Sequence, residues 1–183
     1  KLFDVKTRDP MELIRMVGLD GKEHIKAGNY SKGMKHRLTF ARSMINNPEI
    51  WFLDEPTTGL DPAIASNIKD IIKEENEKGV TVFLTTHNMY IADELCDRVA
   101  FIVDGKIRLI DSPKKLKLKY GEKLVEVEYF KNGVLIKESF STIDDEEKNR
   151  LIEVIRGNDL QTMHSKEATL EEIFIKVTGR GLV

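Results

Sequence analysis

The spacing of apolar residues changes several times along the chain, and each change marks an element. A short helix is predicted at "DPMEL", with Asp9 as N-cap, Pro10 at the first helical position, Glu12 closing a capping box and Gly18 ending it. After Ser31, Met34, Leu38, Ala41 and Ile45 recur every three or four residues until Pro48. That is one face of a helix. "IWFLD" (50–54) is instead a continuous apolar run, which predicts a buried strand, and it ends on a carboxylate. Asp61 and Pro62 then open a helix whose stripe is Ile64, Ile68, Ile71 and Ile72 and whose stop is Gly79. "VTVFLTT" reads as the next strand and delivers His87 at its end. A helix across "MYIADELCDR" follows, then two apolar runs around Asp104-Gly105, a hairpin signal. Helix alternating with strand up to about residue 110 predicts an α/β layer on a mostly parallel sheet with flanking helices.

From Ser112 the pattern is different. "SPKKLKLKYG" (112–121) has an N-cap serine, a first-turn proline and a terminal glycine, so a basic connector helix is expected. Residues 122–183 hold a second hairpin about Asn132-Gly133, a helix near Asp145 to Arg156, a short strand and a last helix with a Thr169/Glu172 capping box. That is the content of a small α+β appendage. Neither a repeat nor a low-complexity tract interrupts it.

Composition narrows the function classes. The chain has 183 residues, 40% hydrophobic and 33% charged, which suits a soluble globular protein of one domain plus an appendage. No apolar stretch approaches the roughly 18 residues that would span a bilayer, and no signal peptide opens the sequence, so membrane association is expected to run through a partner. With 29 basic and 31 acidic residues the net charge is −2, giving no reason to expect nucleic acid as a ligand. The lone Cys96, placed in the helix after His87, cannot form an internal disulfide and is assigned no chemistry.

The chemistry gathers at two strand ends. Asp54 and Glu55 stand side by side where the first strand stops, and a carboxylate shut away without a partner is too costly to tolerate. One reading is a solvated strand end followed by the turn residues Pro56, Gly59 and Pro62. The other is a ligand site, since open parallel sheets bind outside the carboxyl ends of their strands. A magnesium ion carrying nucleotide phosphates would meet Asp54. Glu55, directed the other way along an extended backbone, would be left to act on a water, and His87 could hydrogen-bond a terminal phosphate.

"YSKGMKHRLTFARSMINNPEIWFLDEPTTGLDP", followed by "VFLTTHNMYIADELCDRV", resembles the second half of the nucleotide-binding subunit of an ATP-binding cassette (ABC) transporter, over about residues 5 to 111. The tail, from "SPKKLKLKYG" to "TLEEIFIKVTG", resembles the C-terminal appendage of the drug-export and related ABC-2 subfamily. The resemblance implies part of a P-loop NTPase-type fold and ATP with Mg2+ as cofactors. It implies that Asp54 holds the metal, Glu55 is the catalytic carboxylate, His87 is the switch histidine, and Leu60 and Asp61 form a loop reaching a second subunit. The signature maps to Tyr30, Ser31, Lys32, Gly33 and Met34, against a commoner Leu-Ser-Gly-Gly-Gln. Ser31 and Gly33 keep a hydroxyl and an unobstructed N–H at a helix start, where the dipole favours phosphate. On the residues alone, Ser31 is equally a plain N-cap.

The same resemblance implies a second nucleotide-binding subunit paired across ATP, an integral-membrane permease and a cytoplasmic location, peripheral at the inner face of the membrane. The chain carries no G-x-x-x-x-G-K-[ST] phosphate loop. It is therefore expected to begin within a domain and to be inactive by itself, while its intact parent is an ATPase driving export. Two alternatives stand beside this: an ABC-type ATPase without transport, and a non-catalytic binding or regulatory module.

Overall fold

The computed structural model describes residues 6–179. These divide into two compact units, one ending at Leu95 and one starting at Cys96.

The first unit is built on a pair of parallel strands. Helix α1 (Pro10–Met16) is N-capped by Asp9, whose side chain accepts from the Met11 amide. Glu12 does not close the expected capping box; its carboxylate meets Arg8 instead, at 3.4 Å. Helix α2 (Lys32–Ser43) starts at Ser31 and buries Phe40 and Ala41. Strand β1 (Ile50–Asp54) and strand β2 (Thr81–Thr85) pair in parallel, with Ile50 opposite Thr81 and Asp54 opposite Thr85. Between them, helix α3 (Pro62–Glu77) makes the crossover that parallel neighbours require. Helix α4 (Met89–Leu95) is shorter than its sequence suggested and stops before Cys96.

The core of this unit joins α1, α2, β1 and α3. Ile68, Ile71 and Ile72 of the predicted α3 stripe are all buried, each contributing roughly 1.5–3 kcal/mol by removal from water. Trp51 packs against Phe40 with ring centroids 5.0 Å apart, and its indole N–H donates to Ser43 Oγ at 2.8 Å. Strand β1 departs from the expected buried run. Trp51 and Leu53 face the core, whereas Ile50 and Phe52 face out, Phe52 being 73% exposed and stacked on the exposed Phe83 of β2. A two-stranded layer has side chains on alternate faces, and α3 covers one of them.

In the second unit, strands β3 (Val99–Val103) and β4 (Lys106–Asp111) form an antiparallel hairpin. Asp104 and Gly105 both take positive φ, 51° and 69°, as a two-residue hairpin loop of the mirror-image type demands. Helix α5 (Pro113–Tyr120) is capped by Ser112. Gly121 follows it because nothing larger fits: a Cβ there would lie 2.4 Å from the Lys117 carbonyl oxygen. Strands β5 (Leu124–Lys131), β6 (Val134–Ser141) and β7 (Asp159–Lys166) make an antiparallel sheet in the order β6-β5-β7. Helix α6 (Asp145–Gly157) packs Leu151 and Val154 against its core of Val127, Tyr129 and Phe140. Helix α7 (Leu170–Thr178) carries the predicted Thr169/Glu172 capping box.

One interaction in the first unit has no counterpart in the hydrophobic pattern. Glu75, on α3, is 5% exposed and accepts from Arg8 Nη1 at 2.8 Å and from Lys78 Nζ at 2.9 Å. The Arg8 amide also donates to the Ile45 carbonyl, so the segment before α1 is tied both to the chain just after α2 and to α3. Burial alone would raise the Glu75 pKa; the hydrogen bonds and charges of Lys78 and Arg8 outweigh it and hold the carboxyl below its ordinary value. A depressed folded-state pKa stabilises above the unfolded value, about 4.3, and that stability is lost as pH falls through the folded value. Glu75→Gln should therefore cost about 2–3 kcal/mol at neutral pH in urea unfolding and flatten the acid limb of the stability profile. A variant as stable as the wild type would show that the desolvation cost of the pair cancels its attraction.

Candidate nucleotide site

The register of β1 against β2 decides what surrounds the acidic pair. Both strands end at the same level, so Asp54 lies opposite Thr85, whose hydroxyl donates to Asp54 Oδ1 in a short hydrogen bond. Glu55 follows immediately but is not extended, as its sequence position suggested: its φ is 46°, in the left-handed region that non-glycine residues rarely occupy. Its amide still donates to the Thr85 carbonyl at 2.9 Å. The turn swings its side chain to the end of β2, where four donors meet it. Oε2 accepts from Thr58 Oγ1 at 2.7 Å and from Thr86 Oγ1 at 3.1 Å. Oε1 accepts from the His87 amide at 2.8 Å and lies 2.7 Å from His87 Nδ1. Burial would raise the Glu55 pKa, but the hydrogen bonds from Thr58, His87 and Thr86 prevail and keep the carboxyl below its usual range.

Asp54, Glu55 and His87 are thus gathered at one end of the parallel pair. The signature residues stand elsewhere in the unit, at the start of α2. Ser31 Oγ accepts from the Met34 amide at 3.2 Å, an N-cap. Lys32 is exposed, and Gly33 and Met34 are half-buried. Arg37 anchors this helix by donating to the carbonyls of Val17 and Gly18, at 3.1 and 2.7 Å. Asp61 caps α3 by accepting from the Ile64 amide at 3.0 Å. No hydrogen bond or ion pair among the described residues joins these two groups to the strand-end site.

The sequence reading missed the three threonines, Thr58, Thr85 and Thr86. Their signal was present as hydroxyls in "TTG" and "TTH", adjacent to the acidic pair and the histidine. It could not be used before the strand register was known. The thiol of Cys96, raised mainly by burial and further by Asp97, stays protonated and takes no part.

Among the described residues no cluster of three or more His, Cys, Asp or Glu could hold a metal ion, and no helix is long and apolar enough to cross a membrane. Asp54 nonetheless suits Mg2+, which commonly takes one or two protein carboxylates and completes its shell with water and phosphate oxygens. The exposed strand end leaves room for such a shell.

The parallel strand pair ends in adjacent carboxylates and a histidine and is joined by a crossover helix, and solved structures of ABC ATP-binding proteins share the fold. The ATP-binding subunit of an ABC transporter aligns with a TM-score of 0.56 and 24% identity, covering 60% of this chain and 46% of that one. A dimeric ATP-binding cassette in a post-hydrolysis state, bound to ADP and Pi, aligns with a TM-score of 0.51 and 29% identity, covering 55% and 44%. A family model described as "AAA domain, putative AbiEii toxin, Type IV TA system" matches residues 4–93. A fluoroquinolones export ATP-binding protein of Mycobacterium tuberculosis is 50% identical over 182 residues, 99% of this chain and 60% of its own length. ABC transporter A family member 6 of Arabidopsis thaliana is 35% identical over 196 residues, 88% of this chain and 20% of its own. Over 99% of its length the chain is similar to an ABC transporter ATP-binding protein, and it spans about 60% of the length of that mycobacterial relative.

Gly33 offers a test of the signature helix. A Cβ at this position would meet nothing within 4 Å, so no packing in this chain requires glycine there. Gly33→Ala should leave folding unharmed or raise stability by up to about 0.5 kcal/mol, because alanine is the better helix former. Ser31→Ala should cost about 1 kcal/mol through loss of the cap. Both are read by urea unfolding; a strongly destabilised Gly33→Ala would mean that the glycine serves the fold.

Proposed function

We propose that this chain supplies the hydrolytic end of an ABC ATPase site, in a protein that hydrolyses ATP to drive export through an integral-membrane permease. The observation that carries this is the meeting of Asp54, Glu55 and His87 at the carboxyl ends of two neighbouring parallel strands. In this reading residues 1–111 are the C-terminal part of the ATPase domain, 112–121 the connector helix and 122–183 the α+β module. The names of the mycobacterial relatives favour a drug-like cargo.

Each residue has a separate task. ATP, bound with Mg2+, supplies the phosphoryl group that is transferred to water. Asp54 would hold the Mg2+ through a water, and the metal would neutralise charge on the phosphates. Glu55, one residue on, orients the attacking water and accepts its proton. His87 stands 2.7 Å from Glu55 through Nδ1, which carries the proton because Glu55 is an anion. Donation from His87 Nε2 to a phosphate oxygen then requires the imidazolium form.

Ser31, Lys32, Gly33 and Met34 face the nucleotide held by a second nucleotide-binding subunit. The α2 N-terminus presents amides and the positive end of its dipole to phosphate. Asp61 lies in the loop toward that subunit. The assembly sits in the cytoplasm, peripheral at the inner face of the membrane, without nucleic acid as a partner.

The test uses the full-length protein. Glu55→Gln keeps the side chain's shape while removing the base, so ATP binding should persist while hydrolysis falls by about 100-fold or more. Asp54→Asn should weaken magnesium-dependent nucleotide binding by about ten-fold. Equal loss of nucleotide affinity in both variants would reverse the roles given to the two carboxylates.

A further inference from the structure

Glu55 is held more completely than a solvent-facing strand end needs. A carboxylate has about four lone-pair sites, and here four donors occupy them: Thr58 Oγ1, Thr86 Oγ1, the His87 amide and His87 Nδ1. The backbone beneath is in a costly conformation, φ 46°, which persists only where its surroundings over-determine it. Two main-chain bonds do so: the Glu55 amide to the Thr85 carbonyl at 2.9 Å, and the Thr58 amide to the Glu55 carbonyl at 3.2 Å.

The two hydroxyls are themselves oriented. Thr86 Oγ1 accepts from the Asn88 amide at 3.0 Å, which leaves its own proton directed at Glu55. Asn88 in turn caps the start of α4, its Oδ1 accepting from the Tyr90 and Ile91 amides. Thr58 is fixed by the turn it closes. One hydroxyl therefore arrives from each side of the carboxylate, from the end of β2 and from the turn leading to Asp61.

We infer that Thr58 and Thr86 are positioning residues for Glu55, a pair of hydroxyl donors that fix its carboxylate at the site where a water would be activated. The inference rests on the proposed role of Glu55. Water activation needs the carboxylate oxygen within hydrogen-bond reach of one point, and a displacement of about 1 Å can cost as much as 100-fold in rate. A glutamate at the start of a turn has two free side-chain torsions before the carboxyl group. Without the hydroxyls, only His87 would restrain it, and His87 has a second task at the phosphate. For Glu55 to take up a water, one donor must step aside. Of the two threonines Thr58 is the exposed one, and its turn is continuous with the Asp61 loop.

The test has two arms. In the full-length protein, amide hydrogen exchange reports the hold directly. Thr58→Ala combined with Thr86→Val should accelerate exchange of the His87 amide at least about ten-fold, as should Glu55→Ala, while the Glu55 amide, bonded to Thr85, should stay protected. In the full-length protein each single variant should lower kcat about ten-fold with KM for ATP unchanged, and Thr58→Ser and Thr86→Ser should restore both exchange and rate. Unchanged His87 exchange in the double variant, or serine variants as slow as the alanine and valine ones, would overturn the positioning role. A Glu55→Gln protein that still hydrolyses ATP would instead overturn the catalytic reading, whatever the threonines do. If Glu55→Gln is inactive and the threonine variants keep full kcat, only the positioning role fails.

Discussion

The in-register parallel pairing of β1 with β2 is the constraint on which the site depends. It sets Asp54 opposite Thr85 and brings Thr86 and His87 alongside Glu55. Side chains alternate along a strand, so a slip of one residue would turn Trp51 and Leu53 outward and carry Asp54 away from its threonine. The register is secured by what lies beneath it. Trp51 and Leu53 are buried against a core that includes α3 and α2, and the Trp51 indole is tied to Ser43. Packing on one face of the layer thus determines chemistry at its end.

The crossover helix has a similar double role. Its N-terminus is fixed by Asp61, and its isoleucine stripe holds it to the strands. Near its C-terminus Glu75 secures the segment before α1 through Arg8. A buried carboxylate is an expensive way to join elements, since desolvation opposes the attraction. What it adds over another isoleucine is direction: Lys78 reaches the carboxylate locally, and only a chain that delivers Arg8 to that point completes its pairing. The same logic applies at Glu55, where a positive φ and a half-buried carboxylate are tolerated because four donors converge on it. Both glutamates end up with depressed pKa values for the same reason, hydrogen bonds that outweigh burial.

The α2 helix shows a looser connection between fold and function. Ser31 satisfies its first turn and Arg37 anchors its flank, yet Gly33 serves no packing need. A residue unexplained by its own chain is where an external surface is expected to approach. Such a surface belongs to the role proposed for this helix start, and a dimeric ATP-binding cassette is among the solved structures that the chain resembles.

Local physics let the sequence alone determine a good deal. Helices begin at Asp9, Ser31, Asp61, Ser112 and Thr169 because each of these side chains caps amides within three residues of itself. Hairpins turn at Asp104-Gly105 and Asn132-Gly133 because those pairs accept positive φ. The acidic pair, the histidine and the signature serine were legible as residue types in order, which was enough to find the family. Tertiary structure decided the rest. Whether Phe52 is buried depends on which face α3 covers, and whether Glu12 caps its helix depends on where Arg8 lies. Glu75 and the three threonines carry no local signal of what they meet. Their partners lie as far as 67 residues away in sequence, and no local pattern encodes a contact at that distance.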